Sequence, residues 1–481
     1  MLFNSIEFAI FLPIVFLLYW FAFNRNLRLQ NLFVVVASYV FYGWWDWRFL
    51  LLIAFTSFCT YGSGLLIAKF RETPRKAKAV NVVNIVVNLL ILGIFKYYDF
   101  FVTSFADLFL GGNTDGLLLK LILPVGISFY TFQALSYSID VFRGKMEPTR
   151  DVIQFFAYVS FFPQLVAGPI ERATNLLPQF AKPRTFDYET GVDGMRQILW
   201  GLFKKMVVAD NCAVYVDQVF STWQTQTGSS LLIAAVFFAF QIYGDFSGYS
   251  DIAIGTAKLF GIKLRRNFNV PYFSRDIAEF WRRWHISLTT WFRDYVYIPM
   301  GGSRCSKAKI VRNTLVIFLL SGFWHGANWT FIAWGAYHAL LFLPLILMGK
   351  NRKYLNVVAE GRLLPNLKEL GQMLLTFFLV VIGWIIFRAE SIGQAWEYIC
   401  GMWQWETLSA SYRFFTQSDI WKTSLAILAM LLIEWFSRQK DYAFNISSIP
   451  SPWIRLFLYY VLISIILFYF GTQRTFIYFQ F

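Results

Sequence analysis

Three histidines occur in this 481-residue chain, His285, His325 and His338, and all fall between positions 285 and 338. A neutral imidazole accepts a proton from a hydroxyl or thiol near neutral pH, as a general base must. His325 sits in Ser321–Gly–Phe–Trp–His–Gly326, within an otherwise apolar stretch, and His338 sits in Trp334–Gly–Ala–Tyr–His–Ala339. Ionisable residues are costly inside apolar runs and usually face a cavity or another polar group. The alternative is packing, since a single histidine on an apolar face is more often a satisfied core residue than a catalyst. Gly322 and Gly326 have the same double reading: small residues four apart let helices approach closely, and a close approach also suits a narrow buried site. A spacing of thirteen between His325 and His338, with no cysteine or carboxylate nearby, is a poor metal pattern. No GxSxG elbow, Walker loop or HExxH occurs around these positions.

The segment that carries this chemistry, 244–340, is unusual from its start. Gly244–Asp–Phe–Ser–Gly–Tyr–Ser–Asp251 places Asp245 and Asp251 directly after an apolar run, and 244–312 is too charged to span a membrane in one pass. Phe280–Tyr295 predicts one amphipathic helix. Trp281, Trp284, His285, Leu288, Trp291, Phe292 and Tyr295 recur at spacings of three and four, opposite Arg282, Arg283, Arg293 and Asp294.

The elements around it are membrane helices. Apolar residues make up 57% of the chain and charged residues 15%, against about 25% charged in an average soluble domain. The charges bunch between long apolar runs at 6–23, 48–68, 80–95, 117–139, 229–243, 313–348, 371–387, 421–436 and 453–470. A spanning helix needs roughly 20 such residues. With shorter candidates at 31–45 and 152–168, about eleven crossings or half-crossings are expected. Continuous runs exclude an alternating barrel. The first run is expected to stay as a helix, because no basic n-region or small-residue cleavage site marks it as a signal peptide.

Basic residues set the expected topology. The net charge of +15 marks cytoplasmic loops by the positive-inside rule, and no basic domain outside the membrane suggests nucleic acid. The N-terminus is expected outside, with 24–30 and 69–79 in the cytoplasm. Residues 96–120, with Asp99, Asp107, Asp115, Gly111 and Gly112, fit an outer loop. The 152–168 segment ends in Phe161–Phe162–Pro163 and Gly168–Pro169, whose prolines interrupt a helix, so it is expected to be re-entrant or broken, and 171–205 then lies on the cytoplasmic surface. Cys59, Cys212, Cys305 and Cys400 form no CxxC pair and are expected to be free thiols.

Trp281–Arg–Arg–Trp–His–Ile–Ser–Leu–Thr–Thr–Trp–Phe–Arg–Asp–Tyr–Val–Tyr–Ile–Pro–Met–Gly–Gly302 resembles the signature of the membrane-bound O-acyltransferase (MBOAT) family, in its alginate O-acetylation branch. The resemblance extends to Gly126–Ile–Ser–Phe–Tyr–Thr–Phe–Gln133, Phe161–Phe–Pro–Gln–Leu–Val–Ala–Gly–Pro–Ile170, Gly244–Asp251 and Gly322–Phe–Trp–His–Gly326, and so to nearly the whole length. It implies an all-α, polytopic transmembrane bundle, formed as one domain over 1–481, with a central catalytic tunnel where acyl donor meets acceptor. It also implies that His325 matches the family's near-invariant histidine and His285 its second polar position. His325 would then take the proton from a hydroxyl or thiol attacking a thioester carbonyl. Arg282 and Arg283, with Trp281, Trp284, Asp245 and Asp251, become candidates for binding donor or substrate, although arginines at a cytoplasmic rim have the plainer positive-inside explanation. His338 has the weakest claim, a packing role that Gln could partly preserve.

The implied activity is O-acetyl transfer in a bacterial inner or plasma membrane. The donor is an acyl thioester, acetyl-coenzyme A or an acyl carrier, with no bound cofactor and no metal. The acceptor is an extracytoplasmic polysaccharide, reached through an outer-side SGNH-type partner. Two alternatives stand beside it. A D-alanyl transfer protein of teichoic-acid type would use an acyl carrier protein, but the extra helices after 370 suit the first reading better. A transporter would explain Asp245 and Asp251, but predicts paired broken helices in inverted repeats.

Overall fold

The computed structural model describes residues 1–481 except 115, 167, 405–417, 471–473 and 478–481. Asp115, expected in an outer loop, and Ala167 of the Phe161–Ile170 motif thus lie outside the described residues. Among the described residues the chain is helical, with no strand. The order begins with α1 (Ile6–Leu17), α2 (Leu27–Gly43), α3 (Arg48–Lys69), α4 (Pro74–Leu92) and α5 (Tyr98–Phe109). There follow α6 (Ile127–Phe142), α7 (Val152–Ser160), the single turn α8 (Phe162–Leu165), α9 (Ala173–Phe180), α10 (Tyr188–Leu202) and α11 (Asp210–Ser221). The long α12 (Gly228–Leu259) leads to the short α13 (Ile277–Arg283) and α14 (Ile286–Phe292). The chain continues through α15 (Lys307–His325), α16 (Trp329–Leu347), α17 (Leu367–Arg388), α18 (Ile392–Gly401), α19 (Ser418–Phe436) and α20 (Pro452–Phe468). Wide π-helical turns, at Gly93–Tyr97 and Phe203–Ala209, join α4 to α5 and α10 to α11.

Local sequence explains where these helices begin. Asp276 accepts the Glu279 N–H at 2.7 Å to start α13, and Asn328 accepts from Thr330 at 3.0 Å to start α16. Asn366 and Glu369 form a reciprocal capping box on α17. Each side chain satisfies a backbone donor that the first helical turn leaves open.

Among the described residues, five helices are long and apolar enough to cross a membrane: Arg48–Lys69, Pro74–Phe109, Gly228–Leu259, Trp329–Leu347 and Leu367–Arg388. Ile6–Ala22 and Pro452–Phe468 are shorter apolar helices. The expected break in 152–168 falls at Phe161 (ψ 109°), between α7 and α8.

The chain departs from its sequence pattern in three places. Residues 96–109 are not loop: α4 continues through its π turn into α5, and the chain turns only at Gly111 and Gly112, whose φ of +60° and +82° suits glycine. Asp99 is held by this arrangement, accepting N–H groups from Leu119 and Lys120 at 2.8 and 2.9 Å. The apolar run 229–243 does not end before the Gly244–Asp251 motif, because α12 carries straight through both carboxylates. Finally, the 171–205 stretch is not uniformly a surface: Lys204 and Lys205 are buried.

The chain divides into two compact units, residues 1–195 with 253–265, and residues 196–252 with 266–481. In the first, Tyr19 Oη and Trp20 Nε1 donate to the carbonyls of Phe260 and Leu259, both at 2.9 Å. Arg184 bonds Gln30 and Asn31, while Thr60, Asn84 and Asn88 form a buried polar seam between α3 and α4. Side-chain hydrogen bonds of this kind hold helices together where water is absent. In the second unit, glycines set the closest helix contacts. A Cβ on Gly322 would collide with the Phe331 carbonyl, and one on Gly335 with the Phe318 carbonyl, so α15 and α16 touch backbone to backbone. Gly201 and Gly248 make the same kind of contact between α10 and α12.

Candidate functional site

The second unit contains all three histidines. His285 stands between α13 and α14 in a left-handed conformation (φ 44°, ψ 52°). The single amphipathic helix expected over 280–295 is therefore broken at this residue. Asn267, on the segment after α12, supplies the cause. Its carbonyl accepts the Ile286 N–H at 2.8 Å. Its Oδ1 accepts the Ser287 N–H at 3.2 Å and the Ser287 hydroxyl at 2.9 Å, and lies 3.2 Å from His285 Nδ1. Its Nδ2 donates to Ser250 Oγ of α12 at 3.1 Å. A non-glycine residue persists in this region only where its surroundings over-determine it, and these bonds do so. Burial pushes the His285 pKa down, to about 3, so the ring is neutral at ordinary pH.

His325 is the last residue of α15, and its ring centroid lies 6.4 Å from that of His285. Trp324 stacks edge-on against both, at 5.8 and 5.0 Å. Trp334 of α16 and Phe387 of α17 complete the far side of His325 at 5.1 and 5.4 Å, and Phe246 of α12 packs on His285 at 4.6 Å. Two buried imidazoles thus share one aromatic enclosure. His338 does not join them. It lies beyond Trp334, among Trp281, Trp334 and Tyr337 at 5.0, 5.1 and 5.3 Å, and neither ring nitrogen has a hydrogen-bond partner among the described residues. A buried polar ring without partners adds desolvation cost. His338→Leu, which keeps apolar bulk, is therefore expected to retain more than half of wild-type transfer and to melt no lower. Loss of transfer at normal protein levels would show that His338 does chemistry.

The remaining candidates are engaged within the protein. Arg282 donates to the carbonyls of Asn351 and Tyr354 at 2.5 and 2.6 Å. Arg283 is buried rather than on a solvated face, bonding Glu279 at 2.8 Å and the Asn356 carbonyl at 3.1 Å. Arg275 shares both Glu279 and Asn356. Together these arginines fasten residues 351–356 to α13. Trp281 faces His338, Trp334 and Phe318, and Trp284 packs on Phe268, Phe280 and Trp384. Asp245 pairs with Lys205 at 2.8 Å and accepts the Ile477 N–H at 2.6 Å. Lys205 also holds Asp210 at 2.8 Å. Asp251 pairs with Lys204 at 2.5 Å and accepts from Gln197 at 2.7 Å. The four cysteines are free thiols, as expected.

Residue-type reasoning missed Asn267 and Phe387. An asparagine in Arg–Arg–Asn–Phe–Asn has no chemical signature of its own, and only the fold carries it to a histidine 18 positions away. Phe387 is one of 54 phenylalanines, so its type singles out nothing.

A helical chain with several helices apolar enough to cross a membrane is consistent with the family that comparison with known proteins finds. The model of MBOAT, the membrane-bound O-acyltransferase family, matches residues 39–382, and the chain belongs to that family. A Pseudomonas aeruginosa protein named probable alginate O-acetylase AlgI is 40% identical over 444 residues, covering 92% of this chain and 82% of its own. A Helicobacter pylori peptidoglycan O-acetyltransferase is 34% identical over 431 residues, covering 84% and 80%. A Bacillus subtilis teichoic acid D-alanyltransferase is 29% identical over 286 residues, covering 56% and 70%. The protein is a membrane O-acyltransferase.

Proposed function

We propose that this O-acyltransferase takes acetyl groups from a cytoplasmic thioester, acetyl-coenzyme A or an acyl carrier, and passes them toward an extracytoplasmic polysaccharide. An outer-side SGNH-type partner completes the transfer to polymer. The observation that carries the mechanism is the pairing of His285 and His325, ring centroids 6.4 Å apart, inside one aromatic enclosure. His325 accepts the proton of the incoming hydroxyl or thiol as that group attacks the thioester carbonyl. The C–S bond breaks, and the departing thiolate takes a proton back, which leaves His325 neutral for the next cycle. His285 stands next to that centre as the second polar group. Excluding water by Trp324, Trp334 and Phe246 protects the thioester from hydrolysis.

The walls of this site have their own division of labour. On this geometry Trp281, Trp284, Arg282 and Arg283 shape and fasten it, and Asp245 and Asp251 neutralise buried lysines, which is a use of carboxylates that a transporter is not needed to explain. The acetyl reading is favoured over D-alanyl transfer because the two O-acetyl relatives match over most of this chain and the D-alanyl relative over little more than half. Ester-linked acetate on surface polymer, measured with and without the gene, tests it. Acetate is expected to disappear on deletion and return on complementation. Unchanged acetate with a loss of ester-linked D-alanine would replace the reading with the other one.

A further inference from the structure

We infer that Asn267 is the positioning residue of the site, fixing His285 as the Nδ1–H tautomer so that Nε2 carries the lone pair; this rests on the reading of His285 as a functional group. The Ser287 backbone N–H is only a donor, so the Asn267 atom that meets it at 3.2 Å is the amide oxygen. The same orientation turns Nδ2 toward Ser250 Oγ, an acceptor, at 3.1 Å. An oxygen 3.2 Å from His285 Nδ1 requires the proton to be on Nδ1, because two facing lone pairs would repel. In a neutral imidazole the other nitrogen is then unprotonated. Nε2 is buried and has no hydrogen-bond partner among the described residues. An acceptor is thereby left open to a hydroxyl, a thiol or a proton passed from the neighbouring His325.

Asn267 is fixed in turn. It is fully buried, its own carbonyl holds Ile286, and its amide ties the His285 turn to α12 through Ser250. Among the described residues, the groups that bond or stack on His285 are Phe246, Asn267, Phe268, Ser287, Trp324 and His325, and of these His325 is the titratable one. The flanking arginines point elsewhere, Arg282 at carbonyls and Arg283 at Glu279. A neutral amide thus orients the ring without charging it.

The test uses the purified full chain in detergent, with histidine labelled by nitrogen-15. Three histidines give a spectrum in which His285 is assigned by its loss in His285→Gln. The expected result is a protonated Nδ1 and an unprotonated Nε2 at neutral pH, and a predominant Nε2–H form would overturn the inference. Asn267→Asp keeps every acceptor but places a carboxylate on the ring. An adjacent opposite charge favours the protonated form and raises the pKa, by about one to three units. The His285 titration should move to higher pH by at least about one unit, while the Nδ1–H form persists. An unmoved titration would also overturn the inference. In cells, Asn267→Leu should lower polymer acetate at least about tenfold at equal protein level. His285→Ala separates the two claims: if it acetylates normally, the role of His285 fails, whereas the nitrogen-15 result judges the tautomer by itself.

Discussion

Replacing His325 with alanine is expected to remove polymer acetylation almost completely while the protein still inserts and accumulates. General-base assistance contributes typically 10²–10⁴-fold, so about one per cent or less of wild-type transfer should remain. The aromatic shell makes the variant a fair test of chemistry. His325 ends α15 beside the Gly326 turn, and its neighbours Trp324, Trp334 and Phe387 also pack on one another or on residues beyond it, so their positions do not depend on the imidazole. His285→Ala should also be severe, with more residual transfer, because His285 flanks the reacting centre in the proposed mechanism. The measurement is ester-linked acetate per unit of membrane-inserted protein. Wild-type acetylation by His325→Ala would end the assignment of this residue as the base.

The second large effect concerns folding. Lys205 stands between Asp210 and Asp245, and all three side chains are at most 4% exposed. Lys205→Met removes the cation and leaves two carboxylates facing each other in a water-poor interior. Breaking a buried pair in this way costs about 3–5 kcal/mol, a large share of the 5–15 kcal/mol that typically separates folded from unfolded protein. A steep fall in the thermal midpoint of the detergent-solubilised protein, and a fall in the amount inserted, are expected. Adding Asp210→Asn and Asp245→Asn should recover part of the loss, because neutral amides no longer repel. A single variant that melts with wild type would show that Lys205 is not needed to compensate these carboxylates.

The long helices were legible in the sequence because lipid and protein interior both demand apolar surface, and runs such as 48–68 and 371–387 have no other use. His285 and His325 were legible as candidates because a histidine in such surroundings is costly wherever it is placed, and the same cost at His338 shows that residue type alone does not separate the three. What stayed hidden depends on partners remote in sequence. The 280–295 stretch has perfectly helical periodicity, yet it breaks at His285 because Asn267 offers the backbone and side chain a competing set of bonds. The Gly244–Asp251 motif looked too charged to continue a membrane helix, yet α12 passes through it because Lys204 and Lys205 bring the counter-charges from the π turn before α11. Arg282 and Arg283 suggested a solvated face, but carbonyls of residues 351–356 and Glu279 take up their donors. In each case the deciding neighbour was what the sequence could not supply.

The glycine contact between α15 and α16 has a consequence for biogenesis. Only Gly326, Ala327 and Asn328 separate the two helices, so their contacts are of short sequence separation and are expected to form early. Within this hairpin His325 already meets Trp324 and Trp334, and Gly322 lets the two backbones close. The His285 surroundings follow a different timetable: Phe246, Asn267 and Trp324 must converge from three separate stretches of chain. The two imidazoles are therefore expected to reach the site by separate routes, one packed within its own hairpin and one dependent on assembly. A lesion at Gly322 should act while the chain is being inserted, and a lesion at Asn267 only once the bundle has closed.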